Sequence, residues 1–126
     1  MWPFANFQRW EFVCRCSCGF DDIDLGLVTT LQRLRDEVGK PVQVNSGCRC
    51  PTHNRRVGGS PRSQHMVGRA ADIRVDGMTS IQIIDVLKRL YLDHEAYVGF
   101  AYAVNGAVVH VDVRTPESQT VRRWRG

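Results

Sequence analysis

Two short stretches of the chain hold residue types that could bind a metal. Residues 63–72 read Ser-Gln-His-Met-Val-Gly-Arg-Ala-Ala-Asp and supply His65 and Asp72, and a second segment, His110-Val-Asp-Val-Arg114, begins 38 residues after Asp72. One imidazole, one carboxylate and a distant second imidazole form a three-ligand set of the composition found at catalytic zinc sites, where a fourth position stays open for water. His65 and Asp72 stand seven residues apart with Gly68 between them, so they are not the i, i+4 pair of a His-Glu-x-x-His helix. They fit a loop ligand followed by a strand ligand, with Gly68 supplying a turn or a close backbone approach. A surface histidine near a salt-bridged aspartate fits the same spacing.

The elements that must position these groups can be read from periodicity. In residues 107–114 alternation puts Val108, His110, Asp112 and Arg114 on one side and Val109, Val111 and Val113 on the other. The valine side is expected to be core, and the His110–Asp112–Arg114 side to face a cleft or solvent. Residues 97–104 and 107–114 flank Asn105-Gly106, the pair that favours a type I′ hairpin turn. Residues 70–75 read as a strand ending near Asp76-Gly77, and residues 41–45 as a short strand. Asp24 can cap a helix running to Val38, with Leu25, Val28, Leu31, Leu34 and Val38 on one face and Gly39 as its stop. Thr79 and Gln82 spell the capping box of a second helix, whose buried face is read as Ile81, Ile84, Leu87 and Leu90 or Tyr91. Residues 51–62 are rich in Pro, Gly, Asn, Ser and Arg and are expected to form a long functional loop. His53 within it is expected to bond in the loop rather than ligate metal.

At 126 residues the chain is read as one domain, residues 1–126, with an irregular Cys-containing segment at 1–23 and a polar tail at 115–126. The net charge of +4 comes from 15 Arg and two Lys against 13 acids, a bias suited to an anionic partner or simply to genome composition. Basic and aromatic residues interleave only at Arg122, Arg123, Trp124 and Arg125, so no nucleic-acid partner is expected. No apolar run approaches the ~18 residues needed to span a bilayer, so no membrane insertion is expected. The first ten residues lack a basic start, an apolar stretch and a cleavage site. They are read as no signal peptide, in a protein made in the cytoplasm. The five cysteines fall into Cys14, Cys16, Cys18 and Cys48, Cys50. Alternate spacing is not the Cys-x-x-Cys of zinc ribbons, so one cross-cluster disulfide or reduced thiols is expected rather than a structural metal. A bridge from Cys48 or Cys50 would fix where Arg49 points.

Residues 63–72 match the Ser-x-His-x-x-Gly-x-Ala-x-Asp signature, and the chain here resembles the D-alanyl-D-alanine carboxypeptidase family of zinc peptidases, which includes bacterial wall-trimming enzymes and phage endolysins. Ser46-Gly-Cys-Arg-Cys-Pro-Thr-His-Asn54, Val57-Gly-Gly-Ser-Pro61 and His110-Val-Asp-Val-Arg114 look like further blocks of that family, so the likeness covers roughly residues 11–114. The resemblance implies a small α+β fold shared with the hedgehog signalling domain: a mainly antiparallel sheet with the metal site on one face and two helices on the other. It implies zinc held by His65, Asp72 and His110, and a water that the metal acidifies. Arg49 would bind a substrate carboxylate or stabilise the oxyanion. Ser63 and Gln64 would contact the peptide or orient His65. The implied substrate is the stem peptide of bacterial peptidoglycan, cut by a monomeric enzyme at the wall or in the periplasm after phage-type release, from the virion, or by another export route. Many relatives carry the general base one to three positions before the last histidine, where this chain has Ala107, Val108 and Val109. Asp112 is then either the base or a support for a ligand, and Asp93, His94 and Glu95 are further candidates. A metal-bound wall-binding or phage structural module without turnover is the rival reading.

Overall fold

The computed structural model describes residues 2–92 and 99–113. Among these residues three α-helices, α1 (Leu25–Val38), α2 (Pro51–Arg56) and α3 (Ser80–Leu92), accompany four strands, β1 (Val42–Ser46), β2 (Ala70–Val75), β3 (Gly99–Asn105) and β4 (Val108–Val113). The strands form one fully antiparallel sheet in the order β1-β2-β4-β3. The architecture is the expected α+β arrangement.

Alternation sorts the sheet's two faces. Ile73 and Val75 of β2 and Val109, Val111 and Val113 of β4 join Leu27, Val28, Leu31 and Leu34 of α1 and Ile83 and Leu87 of α3 in one buried cluster. Each such side chain contributes about 2 kcal/mol when withdrawn from water. Asp24 caps α1 by accepting from the Gly26 N–H at 2.7 Å, and Gly39 closes it in the left-handed conformation. Leu25 is half exposed, and Leu27 takes its place in the core. The Thr79–Gln82 capping box forms in both directions, at 3.0 and 3.2 Å. On α3 the buried stripe is Ile83, Val86 and Leu87, while Ile81 is exposed. Two apolar rows satisfy the helical period here, and the sheet selects the one that meets the valines.

Residues 51–62 are not all loop. Pro51 occupies the first position of α2, where its missing N–H costs nothing, and Cys50 caps it by accepting from the His53 N–H. His53 is therefore helical, and its Nδ1 is buried with no partner among the described residues. The N-terminal segment is irregular apart from a 3-10 turn at Arg9–Phe12, yet Phe7 and Phe12 are fully buried and extend the core. Cys48 is also in that core, and burial pushes its thiol up to about 12, so it packs as a small hydrophobe. All five cysteines are free thiols.

Gly68 is the tightest backbone joint near the site. It has φ 70°, and a Cβ there would clash with the backbone oxygen of Asp22. Its own carbonyl accepts from the Asp24 N–H, which ties the ligand loop to the start of α1. Gly68→Ala is therefore expected to cost at least ~2 kcal/mol, combining the left-handed strain with the displaced backbone. Urea unfolding checks this, and a loss below ~0.5 kcal/mol would contradict it.

Candidate metal centre

Asp72 on β2 and His110 on β4 are register partners on the sheet face opposite the valines. His65 reaches them from a 3-10 turn at Gln64–Val67, whose first N–H groups need a cap. Ser63 provides it: its Oγ accepts from the His65 N–H at 3.2 Å. That geometry gives Ser63 an orienting place beside His65. Gln64 lines the cleft in front of the site.

The ring nitrogens are held by partners that fix their tautomers. His65 Nδ1 lies 2.7 Å from the Gly47 carbonyl, which can only accept, so Nε2 faces Asp72 Oδ1 at 3.1 Å. His110 Nε2 lies 2.8 Å from Asp112 Oδ2, so Nδ1 faces the same Asp72 Oδ1 at 3.2 Å. Three electron-pair donors thus converge, all within 4.8 Å of one another. Such a set is tolerated only with a proton or a cation among them, and a carboxylate with two outward-tethered imidazoles suits a divalent metal.

Arg49 is at the edge of this set. Its backbone N–H donates to the His65 carbonyl at 2.9 Å. Its side chain donates to Ser46 Oγ at 3.1 Å, to Asn54 Oδ1 at 3.4 Å and to Asp72 Oδ2 at 3.0 Å. The guanidinium still borders the cleft, beside Gly59, where a Cβ would press on Asn54 Oδ1.

Asp112 differs from the expectation of an open polar face. It is completely buried, and its carboxylate holds His110 from behind. Ala70 is its register partner on β2. Asp93, His94 and Glu95, together with Arg114 and the tail, lie outside the described residues.

Tyr102 is the site residue that sequence reading missed. Its ring stacks on His110 with centroids 4.5 Å apart and 20° between planes. A two-residue loop at Asn105-Gly106 would set Ala101 opposite His110. The loop is instead Gly106-Ala107, with Asn105 paired to Val108 and an irregularity between Ala103 and Asn105. That shift brings Tyr102 opposite His110. A bulge was not legible in the residues, although Gly106 at positive φ heading the loop is a signal for it.

The donors open into a cleft of about 400 Å³, bordered by Arg49, Gln64 and Tyr102. A larger cleft of about 800 Å³ between α1 and α3 contains no convergent ligand set among the described residues.

Protonation is coupled to this geometry. Burial opposes ionisation of Asp72, yet hydrogen bonds from His110 and His65 outweigh it and hold the carboxyl well below the usual carboxylate range. Burial also opposes charging of His110, but the bonds to Asp112 and then Asp72 prevail and raise its pKa. In the metal-free protein the His110 contribution to stability is complete below its unfolded value of ~6.5 and is lost as pH rises through the raised folded value. The Asp72 contribution is present above its unfolded value of ~3.9 and is lost as pH falls through the depressed one. Metal takes the deprotonated ring, so added zinc is expected to raise Tm more at about pH 8 than at about pH 6. Calorimetry with and without zinc checks this, and an increment that shrinks as pH rises would contradict it.

An antiparallel sheet that presents two imidazoles and a carboxylate to an open cleft is the architecture of a metal-dependent hydrolase. The chain belongs to the Peptidase M15 family, whose model matches residues 5–112. Over 44 residues, 34% of this chain, it is 50% identical to the zinc D-Ala-D-Ala carboxypeptidase of Streptomyces albus G, and the match spans 17% of that protein's length. Its fold is similar to the crystal structure of the Serratia marcescens L-Ala D-Glu endopeptidase ChiX, with TM-score 0.57 and 19% identity over 74% of this chain and 81% of that one. Among the described residues no helix is long and apolar enough to cross a membrane.

Proposed function

We propose that this chain is a zinc-dependent peptidase that hydrolyses a peptide bond in the stem peptide of bacterial peptidoglycan, at the cell wall. One observation carries the reading: His65 Nε2, Asp72 Oδ1 and His110 Nδ1 converge, while the other nitrogen of each ring is held by an outer partner, the Gly47 carbonyl and the Asp112 carboxylate. The substrate class is supported by the carboxypeptidase and endopeptidase relatives.

His65, Asp72 and His110 would hold the metal. Zinc there supplies an acidified water and polarises the scissile carbonyl. Arg49 offers its remaining N–H groups to a substrate carboxylate or to the carbonyl oxygen as charge develops, while its bond to Asp72 keeps the guanidinium at the cleft edge. Asp112 accepts the His110 Nε2 proton and fixes that ring's tautomer, which makes it a positioning residue. Ser63 sets the His65 backbone, and Gln64 and Tyr102 form the walls along which a peptide lies.

The rival is a metal-bound wall-binding or phage structural module without turnover. It is favoured by Ala107, Val108 and Val109, which carry no proton acceptor, and by the burial of Asp112. Mass spectrometry of purified stem peptides after incubation with the zinc-loaded protein separates the two. Loss of one alanine identifies a carboxypeptidase and an internal split an endopeptidase, as an endolysin would give. An unchanged peptide pool at high enzyme concentration leaves the binding module standing.

A further inference from the structure

Four of the five cysteines meet in space. The Sγ atoms of Cys14, Cys16, Cys18 and Cys50 all lie within 4.8 Å of one another, with Cys14–Cys16 at 3.4 Å and Cys16–Cys50 at 3.5 Å. A zinc ion bound by four thiolates at ~2.3 Å sets its sulfurs ~3.8 Å apart, whereas a disulfide needs ~2.0 Å. The observed separations are too long for a disulfide and fall in the range that an S4 cage can close around an ion. We infer that Cys14, Cys16, Cys18 and Cys50 form a second, structural zinc site, distinct from the His-Asp-His centre.

The backbone is shaped for this convergence. Alternate residues of an extended strand share a face but stand ~6.5 Å apart at Cα, so Cys14 and Cys18 would be out of each other's reach. The chain folds back instead: Ser17 has φ 69° and Gly19 φ 85°. Ser17 is the single non-glycine residue among the described residues with positive φ, a conformation that its neighbours must hold in place. Backbone N–H groups also point at the sulfurs. Cys50 N–H donates to Cys14 Sγ at 3.4 Å, His53 N–H to Cys50 Sγ at 3.4 Å and Phe20 N–H to Cys18 Sγ at 3.5 Å. Amide donors of this kind stabilise thiolates, the form that ligates metal. Each coordinating thiol would release its proton to solvent on binding.

The fifth cysteine explains the odd count. Cys48 lies between Cys18 and Cys50 in sequence but is buried in the apolar core, outside the cage. Four ligands fill a closed tetrahedron with no open position, so this ion would hold structure and do no chemistry. Its structural task would be to fasten residues 14–18 to Cys50, which caps α2 and directly follows Arg49. A mixed set of soft sulfur ligands and a separate nitrogen–oxygen set also gives the two sites different metal preferences.

Cobalt titration of the metal-free, thiol-reduced whole chain tests this, with absorbance and bound metal read together. Two equivalents of cobalt and an intense thiolate-to-cobalt charge-transfer band are expected. His65→Ala should keep that band and lose one equivalent, whereas Cys16→Ser should lose the band. Binding of a single equivalent by the unmodified chain, with no charge-transfer band, would overturn the assignment even if Cys16→Ser fails to fold. So would an intact mass of the native protein showing these four cysteines oxidised to two disulfides.

Discussion

Asp72→Asn is expected to release the catalytic metal and to abolish stem-peptide turnover with it. Oδ1 of this carboxylate faces both histidines, at 3.1 and 3.2 Å, and Oδ2 receives Arg49 at 3.0 Å. The amide keeps the shape but loses the negative charge, and its NH2 must oppose either a metal or a guanidinium. Loss of an outer-shell partner alone weakens metal binding ~10–100-fold, so loss of this ligand's charge is expected to exceed ~100-fold. The second cost falls on Arg49, only 13% exposed and now without its counter-ion. Breaking such a pair from one side costs about 3 kcal/mol, at the lower end for buried pairs because Ser46 and Asn54 still accept from the guanidinium. Chelator competition measures the first effect and urea unfolding of the metal-free protein the second. Zinc retained at native affinity would remove Asp72 from the ligand set.

Asp112→Asn separates the two roles that this carboxylate can have. As a positioning residue it holds the His110 tautomer through the 2.8 Å bond, so its amide should weaken zinc binding ~10–100-fold and lower the pKa of His110 toward its ordinary value. Saturating zinc should then restore most of kcat. A general base would behave differently: kcat would stay depressed by ~100-fold or more with the metal site full. Complete burial beneath His110 leads us to expect rescue. Activity measured across a zinc series at fixed pH decides between them, and a persistent loss of kcat at saturation would return Asp112 to the reacting groups.

The sequence was most informative where local rules act alone. The Asp24 cap, the Gly39 stop and the Thr79–Gln82 box each depend on a few neighbouring residues, and all three form. The strand over residues 70–75 and the valine face of β4 follow from period two, which burial on one face enforces. What could not be read depends on distant packing. Leu27 replaces Leu25, and Ile83 replaces Ile81, because the sheet chooses between apolar rows of equal period. Pro51 looked like loop punctuation, and only its position after a capping cysteine makes it a helix start. The one-residue shift near Val104 changed which side chain covers His110, and no composition rule specifies a bulge. The convergence of Cys14, Cys16, Cys18 and Cys50 was missed for a related reason: the alternate spacing was judged against the Cys-x-x-Cys of zinc ribbons, and a left-handed Ser17 folds the segment back on itself.

The strand order has a consequence for when the protein becomes a metalloprotein. β4 is the last of the described strands in the chain, yet it sits between β2 and β3 and supplies His110. His65 and Asp72 leave the ribosome at least 38 residues before His110 and can meet each other at once. The third donor arrives only when the β3–β4 hairpin has emerged and slotted in beside β2. A nascent chain that already has three helices and two strands is therefore still one ligand short, and capture of the ion in the His-Asp-His centre waits for β4 to pair with β2.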